Sequence, residues 1–80
     1  MASFHIRRFG QYLCDVTVTK EGFASRSTRY RAHLDQVERQ TDTKHVPVPI
    51  EVADTFGPSA KEAIAVLEES IMVWLREYAA

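Results

Sequence analysis

The run from Pro58 to Tyr78 constrains this chain more than any other stretch. Ala60, Ile64, Leu67, Ile71, Trp74, Leu75 and Tyr78 recur at three- and four-residue spacing, which on a 3.6-residue helix gathers them into one apolar stripe. Ser59 followed by Glu62 spells a capping box, in which the hydroxyl accepts a backbone amide proton of the first turn and the glutamate reaches back. The spacing predicts a helix over residues 59–78. Such a helix is marginal alone in water, and burial of its large side chains at roughly 1.5–3 kcal/mol each is what would hold it. It needs an apolar floor.

Three stretches of period two can supply that floor. Over 11–19, Tyr12, Cys14, Val16 and Val18 share one side while Leu13, Asp15, Thr17 and Thr19 take the other, the pattern of a strand with one buried face. Lys20-Glu21-Gly22 reads as a turn. Over 24–34, Thr28, Tyr30, Ala32 and Leu34 alternate with Ser27, Arg29, Arg31 and His33. Over 45–52, Val46, Val48, Ile50 and Val52 alternate with Pro47, Pro49 and Glu51. Because proline cannot donate to a ladder, this third strand belongs at a sheet edge. Residues 35–43 are polar with little β-pattern and read as a flexible loop. Phe4 and Ile6 alternate with Ser3, His5 and Arg7, so residues 1–9 read as an arm or a short extra strand. Gly57-Pro58 then breaks extended structure before the helix. The expected fold is a two-layer α+β sandwich in one small domain: a three-stranded antiparallel sheet, order β-β-β-α, with the C-terminal helix across one face.

Eighty residues bury only about 60% of the unfolded chain's surface, so the core is thin. Small domains answer this with disulfides, a metal or self-association. The single Cys14 excludes an internal disulfide. It occupies the buried parity of the best strand with no Lys, Arg or His beside it in sequence, which predicts an inert core thiol. His5, His33 and His45 show no metal-ligand spacing, so no metal is expected. The glycines are dispersed at Gly10, Gly22 and Gly57, which excludes a glycine-rich phosphate loop. With no nucleophile, base and cleft converging, neither enzymatic activity nor a cofactor is expected. The N-terminus lacks the basic-then-apolar leader of a secreted protein, and Lys61, Glu68 and Glu69 interrupt the longest apolar run. Both point to a cytoplasmic chain without a membrane span.

Two surfaces are candidates for function. Val66 and Val73 lie seven apart on the helix flank and Met72 near its back. With Leu13 on the outward sheet face, they are more apolar surface than one stripe buries against one small sheet, which points to a protein partner, most simply a homodimer. The second surface is basic. Residues 1–50 carry eight Lys or Arg against five Asp or Glu, and residues 51–80 carry two against six. Within the basic part, Arg29, Arg31 and His33 share the outward parity of the second strand, beside Thr17 and Thr19, where they could meet phosphate. Apart from Phe23 at its end, no aromatic is interleaved on that face, so stacking on single-stranded bases is not expected.

The helix opening Ser59-Ala60-Lys61-Glu62-Ala63 after a strand, with Trp74-Leu75 near its end, resembles the helix of HicB-type antitoxin domains, which are also small strand-strand-strand-helix modules. The resemblance implies a regulatory, nucleic-acid-linked role as the alternative to a self-associating interaction module. The chain departs from that family in its Pro47 and Pro49 strand, its long polar segment and its lack of an additional DNA-binding module. The element order is also similar to that of double-stranded-RNA-binding domains, without their first helix or the lysine-rich start of their last one. No functional residue carries over from either family.

Overall fold

A computed structural model of the chain describes residues 2–22 and 29–78. The architecture is the expected two-layer α+β arrangement, but the sheet is larger. It contains β1 (Ala2–Phe9), β2 (Tyr12–Glu21), β3 (Arg29–Gln40), β4 (His45–Pro47) and β5 (Thr55–Gly57), followed by α1 (Ala60–Tyr78). All pairings are antiparallel, in the order β1-β2-β3-β4, and β5 also pairs with β3. β4 takes the end of β3 around Glu38–Gln40 and β5 the beginning around Tyr30–Ala32, so two short strands share one side of β3.

Residues 1–9, read as an arm or short strand, form a full edge strand from Ala2 to Phe9, paired with β2 along its length. The cause is the turn. Gly10 has φ 60° while Gln11 is not in the positive-φ region, the signature of a two-residue type II′ hairpin turn with glycine first.

The expected loop at 35–43 is also corrected, because β3 runs on to Gln40. Between Asp15 opposite Gln36 and Val16 opposite Leu34 the register slips by one residue, leaving Asp35 as the extra residue of a β-bulge. Ahead of it the inward residues of β3 are even-numbered, including buried Ala32, and beyond it the inward residue is Val37, also buried. Alternation read straight through Asp35 places Gln36 and Glu38 inside, so the strand vanishes from the pattern. The beginning of the expected second strand, 24–28, including Ser27, Thr28 and Arg26, lies outside the described residues.

The third expected strand, 45–52, pairs only at His45–Pro47. Beyond it the Val48 amide donates to the Val37 carbonyl at 2.9 Å, and the Ile50 amide donates to the Val48 carbonyl at 2.8 Å. That second bond closes a three-residue turn around Pro49, whose fixed φ suits an inverse γ-turn. The chain leaves the ladder there, yet Val48, Ile50 and Val52 still pack into the core, whereas Val46 is exposed.

The helix starts at the expected serine cap, with the serine half of the capping box in place. The Ser59 hydroxyl accepts from the Glu62 amide at 3.2 Å, and the Ala63 amide donates to the Ser59 carbonyl at 3.0 Å. α1 packs against β5, β3 and β2. Ala63, Ile64, Leu67, Ile71 and Leu75 are buried on Cys14, Val16, Val18, Ala32, Val37 and Val48. Trp74 is half-buried beside this cluster and stacks on Tyr78 with ring centroids 4.9 Å apart. Gly57 is where β5 meets the first turn of α1: a Cβ there would lie 2.7 Å from the Ala63 nitrogen and 3.1 Å from Glu62. No helix among the described residues is long and apolar enough to cross a membrane.

Candidate partner interface

Among the described residues the sheet has two open sides, and they differ. On the β4 and β5 side the strands are three residues long and Pro47 and Pro49 interrupt the donors, devices that blunt an edge. The β1 side has neither. In a two-residue hairpin the residues flanking the turn, here Phe9 and Tyr12, exchange both backbone bonds. Alternation back along β1 then turns the backbone groups of Arg7, His5 and Ser3 toward β2 and those of Arg8, Ile6, Phe4 and Ala2 toward the open side.

The side chains of this edge are equally unusual. Residues opposite one another in an antiparallel pair share a face. Phe4 opposite Thr17 and Ile6 opposite Asp15 therefore stand on the outer face, away from α1. Phe4 is 80% exposed and Ile6 63%. Leu13, opposite Arg8, continues the same face and is half-buried. Phe4 and Ile6 border an open depression of about 450 Å³, completed by His5, Asp15, Val16, Asp35 and Gln36. It lies at the bulge, where the Thr17 hydroxyl donates to Asp35 at 2.5 Å.

The other apolar candidates do not join this patch equally. Val66, Met72 and Val73 are all about half exposed, as their helical positions suggest. Glu68 accepts from Arg7 Nε of β1 at 3.1 Å, so its flank of α1 overlooks β1. Met72, one turn further on, shares that flank. Val66 and Val73 project at roughly 140–160° from Glu68 around the helix axis, so they lie on the back of α1 and Met72 on its flank, the reverse of the expected placement. Leu13 stands on the opposite face of the sheet. The four residues grouped by sequence therefore form no single surface, while Phe4 and Ile6, expected only in an arm or a short extra strand, carry the most exposed apolar groups of the edge. The Gly10-Gln11 turn was the signal available in the sequence: it implies a hairpin, and a hairpin leaves β1 with an open side.

Arg29, Arg31 and His33 do share the outer face, and each has an acidic neighbour. Glu21 accepts from Arg29 Nε at 3.1 Å, and its other carboxylate oxygen lies 2.6 Å from Arg31 Nη2. Asp54 lies 2.6 Å from His33 Nδ1 and 4.0 Å from Arg31 Nε, and Asp35 lies 3.9 Å from His33 Nε2. The Phe56 ring sits under both guanidinium groups, at 4.2 Å from Arg29 and 5.6 Å from Arg31. Asp54 and Phe56 arrive from the β5 segment, which the alternation of β3 could not foretell.

Cys14 is fully buried. Burial first, with the carboxylates of Asp15 and Glu68 adding to it, pushes the thiol up from 9.0 to about 11. Such a thiol holds its proton and is a poor nucleophile at neutral pH. Among the described residues, no group of three or more His, Cys, Asp or Glu side chains is placed to hold a metal ion.

No protein-family model, curated protein or solved structure matches the chain.

Proposed function

We propose that this chain is a non-catalytic interaction module that associates with a second copy of itself through the open side of β1. One observation carries the reading: β1 is an eight-residue edge strand without proline or bulge, and it displays Phe4 and Ile6 to solvent. An edge of that kind is a template for another strand unless it is covered. A second copy suits it electrostatically. The formal net charge is only −1, so copies repel little, and the cations of the edge are engaged at home, Arg7 by Glu68 and Arg8 by Gln40 at 2.9 Å. Association also supplies burial that so thin a core lacks.

The alternative, nucleic-acid binding through Arg29, Arg31 and His33, is less favoured, because phosphate would have to compete with Glu21, Asp54 and Asp35 for the same donors.

The experiment is a measurement of mass against concentration by light scattering, on the wild type and on Ile6→Pro. The Ile6 amide points away from β2, so proline removes a donor from the open side while leaving the β1–β2 bonds in place. The wild type is expected to dimerise and folded Ile6→Pro to remain monomeric. A wild type that stays monomeric up to millimolar concentration, or an Ile6→Pro protein that dimerises equally well, overturns the reading.

A further inference from the structure

We infer that two copies pair antiparallel through β1 in one register, with His5 opposite the partner's His5 on the two-fold axis and Phe4 opposite the partner's Ile6. This rests on the self-association just proposed and adds its contact geometry. The two-fold that sets a second antiparallel β1 beside the first stands perpendicular to the sheet, which keeps both helices on one side and brings same-face residues opposite each other. Phe4 can then face Ala2, Phe4, Ile6 or Arg8 of the partner, and never His5 or Arg7.

The open-side backbone groups select among the registers that remain. Centred on His5, the ladder sets Ala2, Phe4, Ile6 and Arg8 against the partner's Arg8, Ile6, Phe4 and Ala2, so every outward backbone group of those residues finds a partner once the Ile6 carbonyl exchanges the 3.0 Å bond it accepts from Arg7 Nη1 for one from the partner strand. Centred on Ile6, the ladder drops Ala2 and places His5 against Arg7 and Phe4 against Arg8. Centred on Phe4, it drops Arg8 and spends Ile6 on Ala2. Centred on Arg7, it opposes two guanidinium groups. The His5 register alone combines full pairing, arginines facing small uncharged residues, and apolar side chains facing each other.

The resulting surfaces have distinct characters. On the outer face Phe4 and Ile6 of both copies close into a four-residue apolar cluster across the axis, which covers the side chains most exposed on the edge. On the inner face the two His5 rings lie in a trough between the α1 flanks that carry Glu68 and Met72.

Disulfide trapping reads the register. Opposed residues whose backbones do not bond to each other, as at His5, have Cα atoms about 4.5 Å apart, within disulfide range. In a Cys14→Ser background, His5→Cys is expected to give an intermolecular disulfide as the main product under mild copper-phenanthroline oxidation. Phe4→Cys or Ile6→Cys alone should give at least tenfold less, and the double variant Phe4→Cys/Ile6→Cys should crosslink efficiently. Trapping at Ile6 or Phe4 alone as efficient as at His5, in a protein whose mass is dimeric, overturns the register and leaves self-association standing. A monomeric mass for the uncrosslinked wild type removes both.

Discussion

Arg7 Nε on β1 lies 3.1 Å from Glu68 Oε1 on α1, joining residues 61 positions apart. The pair ties the edge strand to the helix, which otherwise packs on β2, β3 and β5. Both side chains are more than a third exposed or close to it, 40% and 33%, so solvent screens most of the attraction. Glu68→Gln is expected to lower stability by less than about 1 kcal/mol in urea unfolding. It should also raise amide hydrogen exchange in β1 more than in β3, and a uniform change across the sheet would contradict the tethering role.

Leu67 is fully buried over the valine floor. Leu67→Ala is expected to cost about 2–5 kcal/mol through lost transfer energy and a residual cavity. Leu67→Asp is expected to abolish cooperative unfolding, because an unpaired carboxylate would be placed in the core. Circular dichroism of both variants checks this, and a cooperatively folded Leu67→Asp protein would mean that another face of α1 is inward.

Gly57 predicts the behaviour of a contact between backbones. A methyl group at 2.7 Å from the Ala63 nitrogen has no flexible side chain to displace, so Gly57→Ala must push β5 away from the first helical turn. A loss of about 1–3 kcal/mol is expected, together with weakening of the 2.7 Å bond from the Thr55 hydroxyl to the Ala63 carbonyl. Urea unfolding of Gly57→Ala, Thr55→Val and the double variant is expected to show a combined loss smaller than the sum of the two single losses.

Cys14 makes stability depend on alkaline pH. In the unfolded chain the thiol releases its proton near 9.0, and in the fold it keeps it to about 11. Between those values the unfolded state binds fewer protons, so stability falls as pH rises, is unaffected below that window and levels off above it. The total loss is about 2–3 kcal/mol. Subtracting the pH profile of Cys14→Ala from that of the wild type isolates this slope from the lysines and tyrosines.

Paired cations make a different forecast for the outer face. Because Arg29 and Arg31 share Glu21, the double variant Arg29→Gln/Arg31→Gln should elute from heparin at nearly the wild-type salt concentration. Glu21→Gln should be retained more strongly, since it frees two guanidinium groups. A large loss of retention in the arginine variant would instead support phosphate binding by this row.

Much of the layer arrangement was legible in the chain. Ser59, Glu62 and the Ile64-Leu67-Ile71 stripe define α1 through local geometry alone, and Cys14, Val16 and Val18 define the face of β2. What was hidden depended on relations between segments. β3 lost its second half to one unpaired residue, and the 45–52 row lost its ladder to Pro49 while keeping its inward valines. The carboxylates beside Arg29, Arg31 and His33 come from Glu21 and Asp54, which meet that row only in three dimensions. Phe4 and Ile6 were visible as an alternation, but an apolar row reads as inward-facing, and here the row faces out because Ser3, His5 and Arg7 face the helix side. Its orientation follows from the pairing with β2.

The residue that concealed β3 also says what kind of change that strand can absorb. Removing Asp35 would leave Ala32, Leu34 and Val37 in unbroken alternation, with the same side chains facing the helix. The bulge therefore sorts nothing that a shorter strand could not sort, and its effect is on curvature, since an added residue bends and twists the strand that holds it. A chain shortened by that single position should keep its core and flatten its sheet, tilting β1 relative to the β4 end. Asp35 thus acts as an adjustable hinge of shape, through which the angle of the open edge can be changed without rewriting the interior.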